Sequence, residues 1–299
     1  RKMSVRIAVP ATSANLGPGF DVLGLALSLH NVFEFDAQAE GLSITGCDPA
    51  YAGEDNLAVA AWRAVERRAG AKPSGIRLHI ETNVPVARGL GSSATLLAAG
   101  ALAANYFLGA PLAQDEILSI LTELEGHPDN VAPALLGGLR GSMAVDGRVL
   151  CAEYPVHPGF GFCALIPNFE TSTRDARRVL PGQVPFSDAT ANLARLALTL
   201  RALETGDAEM LGAAMDDRLH QPYRKQLIHE YDRVRALALA NGAAAFCISG
   251  SGSTLLSVVR AEEAETFAER MESALADSPY GWRALALHPD FEGARILEK

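Results

Sequence analysis

The sequence predicts an α+β protein of two domains, its mixed or antiparallel sheets covered by helices. Three observations carry that reading. An alternating run, Ile76-Arg-Leu-His-Ile-Glu-Thr82, leads through a Gly/Ser turn at residues 85–95 into an apolar stretch at 96–105, a strand–turn–helix order. Two strand-like runs, 139–145 and 148–154, flank Asp146-Gly147, the dipeptide of a tight hairpin and so of antiparallel pairing. Beyond residue 159 the order strand, helices, strand, strand, helix, strand suggests helices packed on an antiparallel sheet. The chain has 299 residues, and at roughly 100–200 residues per domain one or two domains are expected. The boundary falls near Val156-His-Pro-Gly159, giving 1–157 and 158–299.

In chain order, Val5-Arg-Ile-Ala-Val-Pro10 reads as a first strand, followed by a breaker-rich loop to Gly19. Residues 20–35 are apolar and β-favouring. Residues 55–69 form an amphipathic helix capped by Asp55 and stopped at Gly70. A buried helix runs from 92 to about 108. Pro111 opens the next, 112–125, with Ile117, Leu118, Leu121 and Leu124 on one face. It ends in Glu125 just before Gly126, where a helix terminus prefers cations. A carboxylate set there hints at a cation partner, or is an ordinary exposed glutamate. His127-Pro-Asp-Asn130 begins a short helix that Asp129 or Asn130 would cap, and Gly137-Gly138 ends it. A strand at 159–167 and a short helix at 173–181 follow. Helices are expected over 187–205, 207–219 and 223–240. Strands at 243–249 and 254–259 are joined across Gly250-Ser-Gly252. A helix at 262–276 and a strand at 281–287 close the chain.

Hydrophobic residues make up 48% and charged ones 20%, an ordinary soluble mixture. Lys plus Arg total 26 against 35 Asp plus Glu, a net charge of -9 that argues against a nucleic-acid surface. It leaves ATP open, because backbone N–H groups hold phosphates without a basic protein. Cys47, Cys151, Cys163 and Cys247 show no C-x-x-C spacing, so buried free thiols are expected rather than disulfides or zinc. No apolar run reaches the length of a membrane helix. The opening Arg1-Lys-Met leads straight into a strand without a signal-peptide pattern. The expected setting is the cytoplasm, with no membrane partner.

The turn at 85–95 is the candidate site. A helix start leaves N–H groups unpaired and carries partial positive charge. Gly89 and Gly91 let the backbone close around an anion, and Ser92 and Ser93 add hydroxyls. It is not a Walker A loop, since no lysine follows Gly91, nor a Rossmann fingerprint. The plain alternative is a glycine-rich turn with Ser92 as helix cap. Likewise Asn15 and Asp21 read as turn residues, and Arg177 and Arg224 as a solvated helix face.

Pro85-Val-Ala-Arg-Gly-Leu-Gly-Ser-Ser-Ala94 closely resembles the phosphate loop of the GHMP small-molecule kinases. Pro10-Ala-Thr-Ser-Ala-Asn-Leu-Gly-Pro-Gly-Phe-Asp21 and Ile248-Ser-Gly-Ser-Gly-Ser253 match the same family in the same order. Glu125-Gly-His-Pro-Asp-Asn-Val-Ala-Pro-Ala134 is similar to the branch that phosphorylates L-homoserine. The resemblance spans nearly the whole chain. It implies a two-domain kinase with its active site in the cleft between domains, making O-phospho-L-homoserine for threonine synthesis.

It also implies roles for residues. ATP would be held by the loop, Pro85, Val86, Ala87, Arg88, Gly89, Leu90, Gly91, Ser92, Ser93, Ala94 and Thr95, with Asn56 near the base. Ser93 and Glu125 would hold Mg2+ and act with Asp129 and Asn130 as the catalytic set. The amino acid would be held by Asn15, Asp21, His127, Asn130, Thr173, Arg177, Arg224, Gly250 and Gly252. Arg177 and Arg224 suit its carboxylate and Asp21 its ammonium. Asp129 is the candidate base, though a loose transition state lets the proton pass directly to the γ-phosphate, which makes Asp129 structural, fixing Asn130 and the helix start. Two departures stand out: Ser253 replaces a proline frequent in relatives, and the 125–127 segment is shorter than in some. Two other readings stay open: a GHMP kinase for mevalonate or a sugar, and a non-catalytic nucleotide-binding regulator. So does assembly, a homodimer included.

Overall fold

The computed structural model describes residues 4–297. Strand β1 (Val5–Ala14) runs four residues past the expected stop at Pro10. Its register against β2 (Leu23–Gln38) shifts between Pro10 and Ala11, a bulge that accommodates a residue with no N–H to give. A short strand the sequence pattern did not disclose, β3 (Leu42–Thr45), pairs parallel with β4 (Gly75–Glu81) and makes the sheet mixed.

Helix α1 (Leu57–Arg68) is capped by Asn56, whose side chain accepts from the Ala58 N–H; the expected cap, Asp55, lies one residue too early. Helix α2 (Ser92–Phe107) starts from Gly91 at φ 70°, so Ser92 is its first turn and not its cap. Helix α3 (Gln114–Glu125) ends at Gly126 with φ 92°. In α4 (Pro128–Leu136) the flanking residue is His127 and Pro128 takes the first position, where its missing N–H costs nothing. Asp129 and Asn130 therefore lie inside the first turn and cap nothing. Strands β5 (Leu139–Val145) and β6 (Arg148–Tyr154) form the expected hairpin.

The chain then builds a second sheet. Its elements are β7 (Phe160–Ile166), α5 (Thr173–Arg178), α6 (Phe186–Thr205), α7 (Ala208–Ala214), α8 (Gln221–Arg224) and α9 (Tyr231–Ala240), then β8 (Ala245–Ile248), β9 (Leu255–Arg260), α10 (Ala264–Ala274) and β10 (Arg283–Leu287). The helix expected over 223–240 is broken. It stops at Arg224, passes through a 3-10 turn, and restarts after Glu230 at φ 59°. The four strands lie in the order β10-β7-β9-β8, all antiparallel. A last strand absent from the sequence reading, β11 (Arg295–Leu297), returns to pair with β1. The first sheet runs β11-β1-β2-β4-β3, with β5 and β6 attached through β2.

Two apolar layers position the site. On one, Ile7, Val9, Phe33, Phe35 and Leu78 pack under Trp62, Leu97 and Leu121 of the helices. On the other, Leu23, Leu25 and Leu27 meet Phe162, Leu256 and Val258 of the second sheet. Each fully buried Leu or Phe side chain contributes ~1.5–3 kcal/mol, so the two sheets are joined by a core. All four cysteines are free. Burial pushes the Cys163 and Cys247 thiols up to about 12. Among the described residues no helix is long and apolar enough to cross a membrane.

Asp290 ties the returning segment down. It is 9% exposed. Its carboxylate lies 2.5 Å from His30 Nε2, accepts from Arg295 at 3.0 Å and takes the N–H groups of Glu292 and Gly293. Burial pushes this carboxyl up, but the hydrogen bonds from His30, Gly293 and Arg295 outweigh it and bring it down to about 2. Asp290→Ala is expected to lower the unfolding free energy by about 2–3 kcal/mol in urea at neutral pH. Because the folded value lies below the ordinary ~3.9, the deficit is full above about pH 4 and closes as pH falls toward 2. A deficit that persists unchanged at pH 2.5 to 3 would sink this assignment.

Candidate active site

The Gly/Ser turn is pinned from behind. Asn31 of β2, 2% exposed, accepts the N–H groups of Asn83 and Val84 at 2.7 and 2.8 Å and donates to Thr95 Oγ1 at 2.9 Å. Thr95 in turn donates to the Ser92 carbonyl at 2.7 Å. One buried amide thus joins the end of β4, the start of the turn and the first turn of α2. The sequence reading missed it; its signal is an amide inside an otherwise apolar strand.

The two other motifs close on the same turn. Thr12 donates its N–H to the Leu90 carbonyl at 3.0 Å and its hydroxyl to Asn130 Oδ1 at 2.8 Å. The Ser249 hydroxyl donates to the Gly89 carbonyl at 2.6 Å, and the Thr254 N–H to the Arg88 carbonyl at 3.0 Å. Approach is so close that a Cβ on Gly91 would sit 1.9 Å from Thr12 Oγ1, and one on Gly89 2.2 Å from the Ser249 carbonyl oxygen. The carbonyls are taken, while among the described residues none of the N–H groups from Gly89 to Ala94 donates to a protein acceptor. Unpaired N–H groups converging at a helix start form an anion cradle.

At its rim Ser93 Oγ donates to Glu125 Oε1 at 2.7 Å. The helix α3 ends where it delivers Glu125 to the start of α2. A hydroxyl and a carboxylate beside a phosphate cradle are hard oxygen donors of the kind Mg2+ takes. Among the described residues no group of three or more His, Cys, Asp and Glu gathers as a metal cage.

Asn130 faces the same rim through Thr12. Asp129, 2% exposed, is hydrogen-bonded through its carboxylate to His127 Nδ1, and that bond, against the opposing effect of burial, raises the His127 pKa.

Beside the cradle lies a charged cluster. Asn15 donates to the Gly250 carbonyl at 2.9 Å and accepts the Asp21 N–H at 3.0 Å, which joins the first and last motifs. Arg177 grips Asp21 through two hydrogen bonds of 3.0 and 2.9 Å. The residues expected to hold opposite ends of one ligand thus hold each other. Arg224 differs. It is 2% exposed, donates to the carbonyls of Ala176 and Gly250 at 3.1 and 3.2 Å, and has no carboxylate within 4.0 Å among the described residues. Burial, reinforced by Arg177, pulls its pKa down to about 10.

Phe20 lies 5.1 Å from the Arg224 guanidinium and 5.9 Å from that of Arg177, and stacks on the buried ring of His220. His220 Nε2 lies 2.9 Å from the Gly17 carbonyl, so that nitrogen carries the proton and Nδ1 faces Arg224 at 3.5 Å. Neither Phe20 nor His220 stood out in the sequence. Thr173 reaches Ser251 Oγ at 3.5 Å. Asn56 has both ends of its amide engaged, capping α1 and donating to the Tyr51 carbonyl. Arg88 directs its side chain to the carbonyls of Val86, Pro167 and Asn168.

The family description GHMP kinases N terminal domain matches residues 56–138, and GHMP kinases C terminal matches 199–277. A homoserine kinase of Trichodesmium erythraeum is 43% identical over 298 residues, 97% of each chain. One of Caldicellulosiruptor bescii is 39% identical over 298 residues, 98% of this chain and 97% of that one. The crystal structure of homoserine kinase from Cytophaga hutchinsonii matches with a TM-score of 0.90 at 28% identity, covering 98% of this chain and 97% of that chain. The L. major mevalonate kinase, at 16% identity over 96% of each chain and a TM-score of 0.74, shares the fold. With its phosphate turn, its closing motifs and these relatives along its whole length, the chain belongs to the GHMP kinase family, among the homoserine kinases.

Proposed function

We propose that the cleft moves the γ-phosphoryl group of ATP onto the terminal hydroxyl of L-homoserine, giving ADP and O-phospho-L-homoserine, a step of threonine synthesis in the cytoplasm. One observation favours an acceptor that carries a carboxylate: Arg224, a buried cation beside the phosphate cradle with no carboxylate within 4.0 Å among the described residues. Burying an uncompensated charge is costly, and a ligand carboxylate compensates it. A neutral sugar alcohol would not.

The residues divide the work. The N–H groups of the turn bind the phosphates, and the bond between γ-phosphorus and the bridging oxygen breaks as the acceptor oxygen bonds to phosphorus. Ser93 and Glu125 would hold Mg2+, which when bound neutralises charge on the phosphates. Arg224 and Arg177 take the substrate carboxylate, and Asp21 shares Arg177 with it while holding the ammonium. Both ends of a zwitterion are then paired, which offsets its desolvation. Asn130, oriented by Thr12, leaves its amide N–H groups for the acceptor hydroxyl. Asp129 is a positioning residue: its carboxylate is spent on His127, and the hydroxyl proton passes to the transferred phosphate as the late bond forms.

In a coupled ADP-release assay over a panel of alcohols, L-homoserine is expected to be the preferred acceptor. Turnover of mevalonate or a sugar with none of homoserine would move the protein to another branch, and no turnover at all would make it a nucleotide-binding regulator. Glu125→Gln keeps the side chain's shape and removes its charge. Its kcat is expected to fall by about two orders of magnitude, with folding retained by circular dichroism; a parental rate at saturating magnesium would place Glu125 outside the site.

A further inference from the structure

We infer that Arg88, although part of the phosphate turn, is a positioning residue that straps the ATP cradle to the helix carrying the acceptor pocket. Its guanidinium donates from Nε to the Pro167 carbonyl at 3.1 Å, from Nη2 to the Asn168 carbonyl at 3.1 Å and from Nη1 to the Val86 carbonyl at 3.0 Å. The exposed Glu170 adds an ion pair at 3.2 Å. Three donors in a planar fork are used on two separate segments, a geometry a lysine cannot reproduce.

The segment it grips is short and leads directly to substrate residues. Pro167 follows the last residue of β7, and α5 begins at Thr173. Within those few residues the Thr171 N–H donates to the Ala87 carbonyl at 3.3 Å, and the Ser253 hydroxyl donates to the Phe169 carbonyl at 2.6 Å. Helix α5 then presents Thr173 toward Ser251 and Arg177 toward Asp21. A shift of the turn is therefore carried through Arg88 and 167–171 into α5. Carbonyl hydrogen bonds, not the cation's charge on a phosphate, are what Arg88 supplies. The acceptor side of the consequence rests on the homoserine reading above.

The test uses the full chain with Arg88→Met, which keeps the stem, and Arg88→Lys, which keeps the charge. Arg88→Met is expected to raise KM for homoserine about tenfold, the size of effect a misplaced binding group produces, while KM for ATP moves less than about threefold. Calorimetry should show homoserine affinity falling by the same factor. Arg88→Lys should fall between, and it decides the matter if the methionine variant unfolds. A tenfold rise in KM for ATP with homoserine unaffected would make Arg88 a phosphate contact and overturn the strap, as would parental constants in both variants. A parent that ignores homoserine fails the substrate reading instead, and the strap is then read with the alcohol it does phosphorylate.

Discussion

An anion cradle made of backbone must be rigid yet empty, and the structure depends on how that is done. The carbonyls of Arg88, Gly89 and Leu90 each accept a hydrogen bond from another part of the chain: Thr254, Ser249 and Thr12. With the carbonyls satisfied at the back, the N–H groups are left over at the front. Buried polar groups left unpaired are costly, so the cradle is stable only with all three motifs in place. This is why segments more than 200 residues apart, around Thr12 and Thr254, meet at one turn. It is also why the second sheet must lie against the first.

Much of this was legible because the chemistry sits on loops. Glycines, prolines and hydroxyl residues mark a tight turn locally at 85–95, and resemblance to a known family singled out the other two motifs. The helix and strand cores were equally plain, since Leu and Ile periodicity reports which face is buried. The hairpin at Asp146-Gly147 was found residue for residue.

The misses have physical causes. Strands β3 and β11 are four and three residues long, too short for a period to register, and each exists only because a neighbour offers an edge. Helix caps were misplaced because Asp55, Ser92 and Asp129 all have capping chemistry, and the backbone conformation of Asn56, Gly91 and His127 decided instead. Asn31 and His220 act through contacts distant in sequence, with Val84 and Gly17, which no local pattern encodes. The pairing of Arg177 with Asp21 in the free protein was not legible for the same reason, since the two lie 156 residues apart.

Arg224 is the opposite case. Enclosed, with no carboxylate within 4.0 Å among the described residues and with its pKa pulled down by burial, it is a cation that a bound carboxylate would compensate, as the proposed reading requires. Arg224→Met removes the charge and keeps much of the stem, so steady-state kinetics on this variant test the central claim most directly. KM for homoserine should rise more than about tenfold, as for loss of one partner of a desolvated charge pair, with KM for ATP within a few-fold of the parent. An unchanged KM for homoserine would contradict the account.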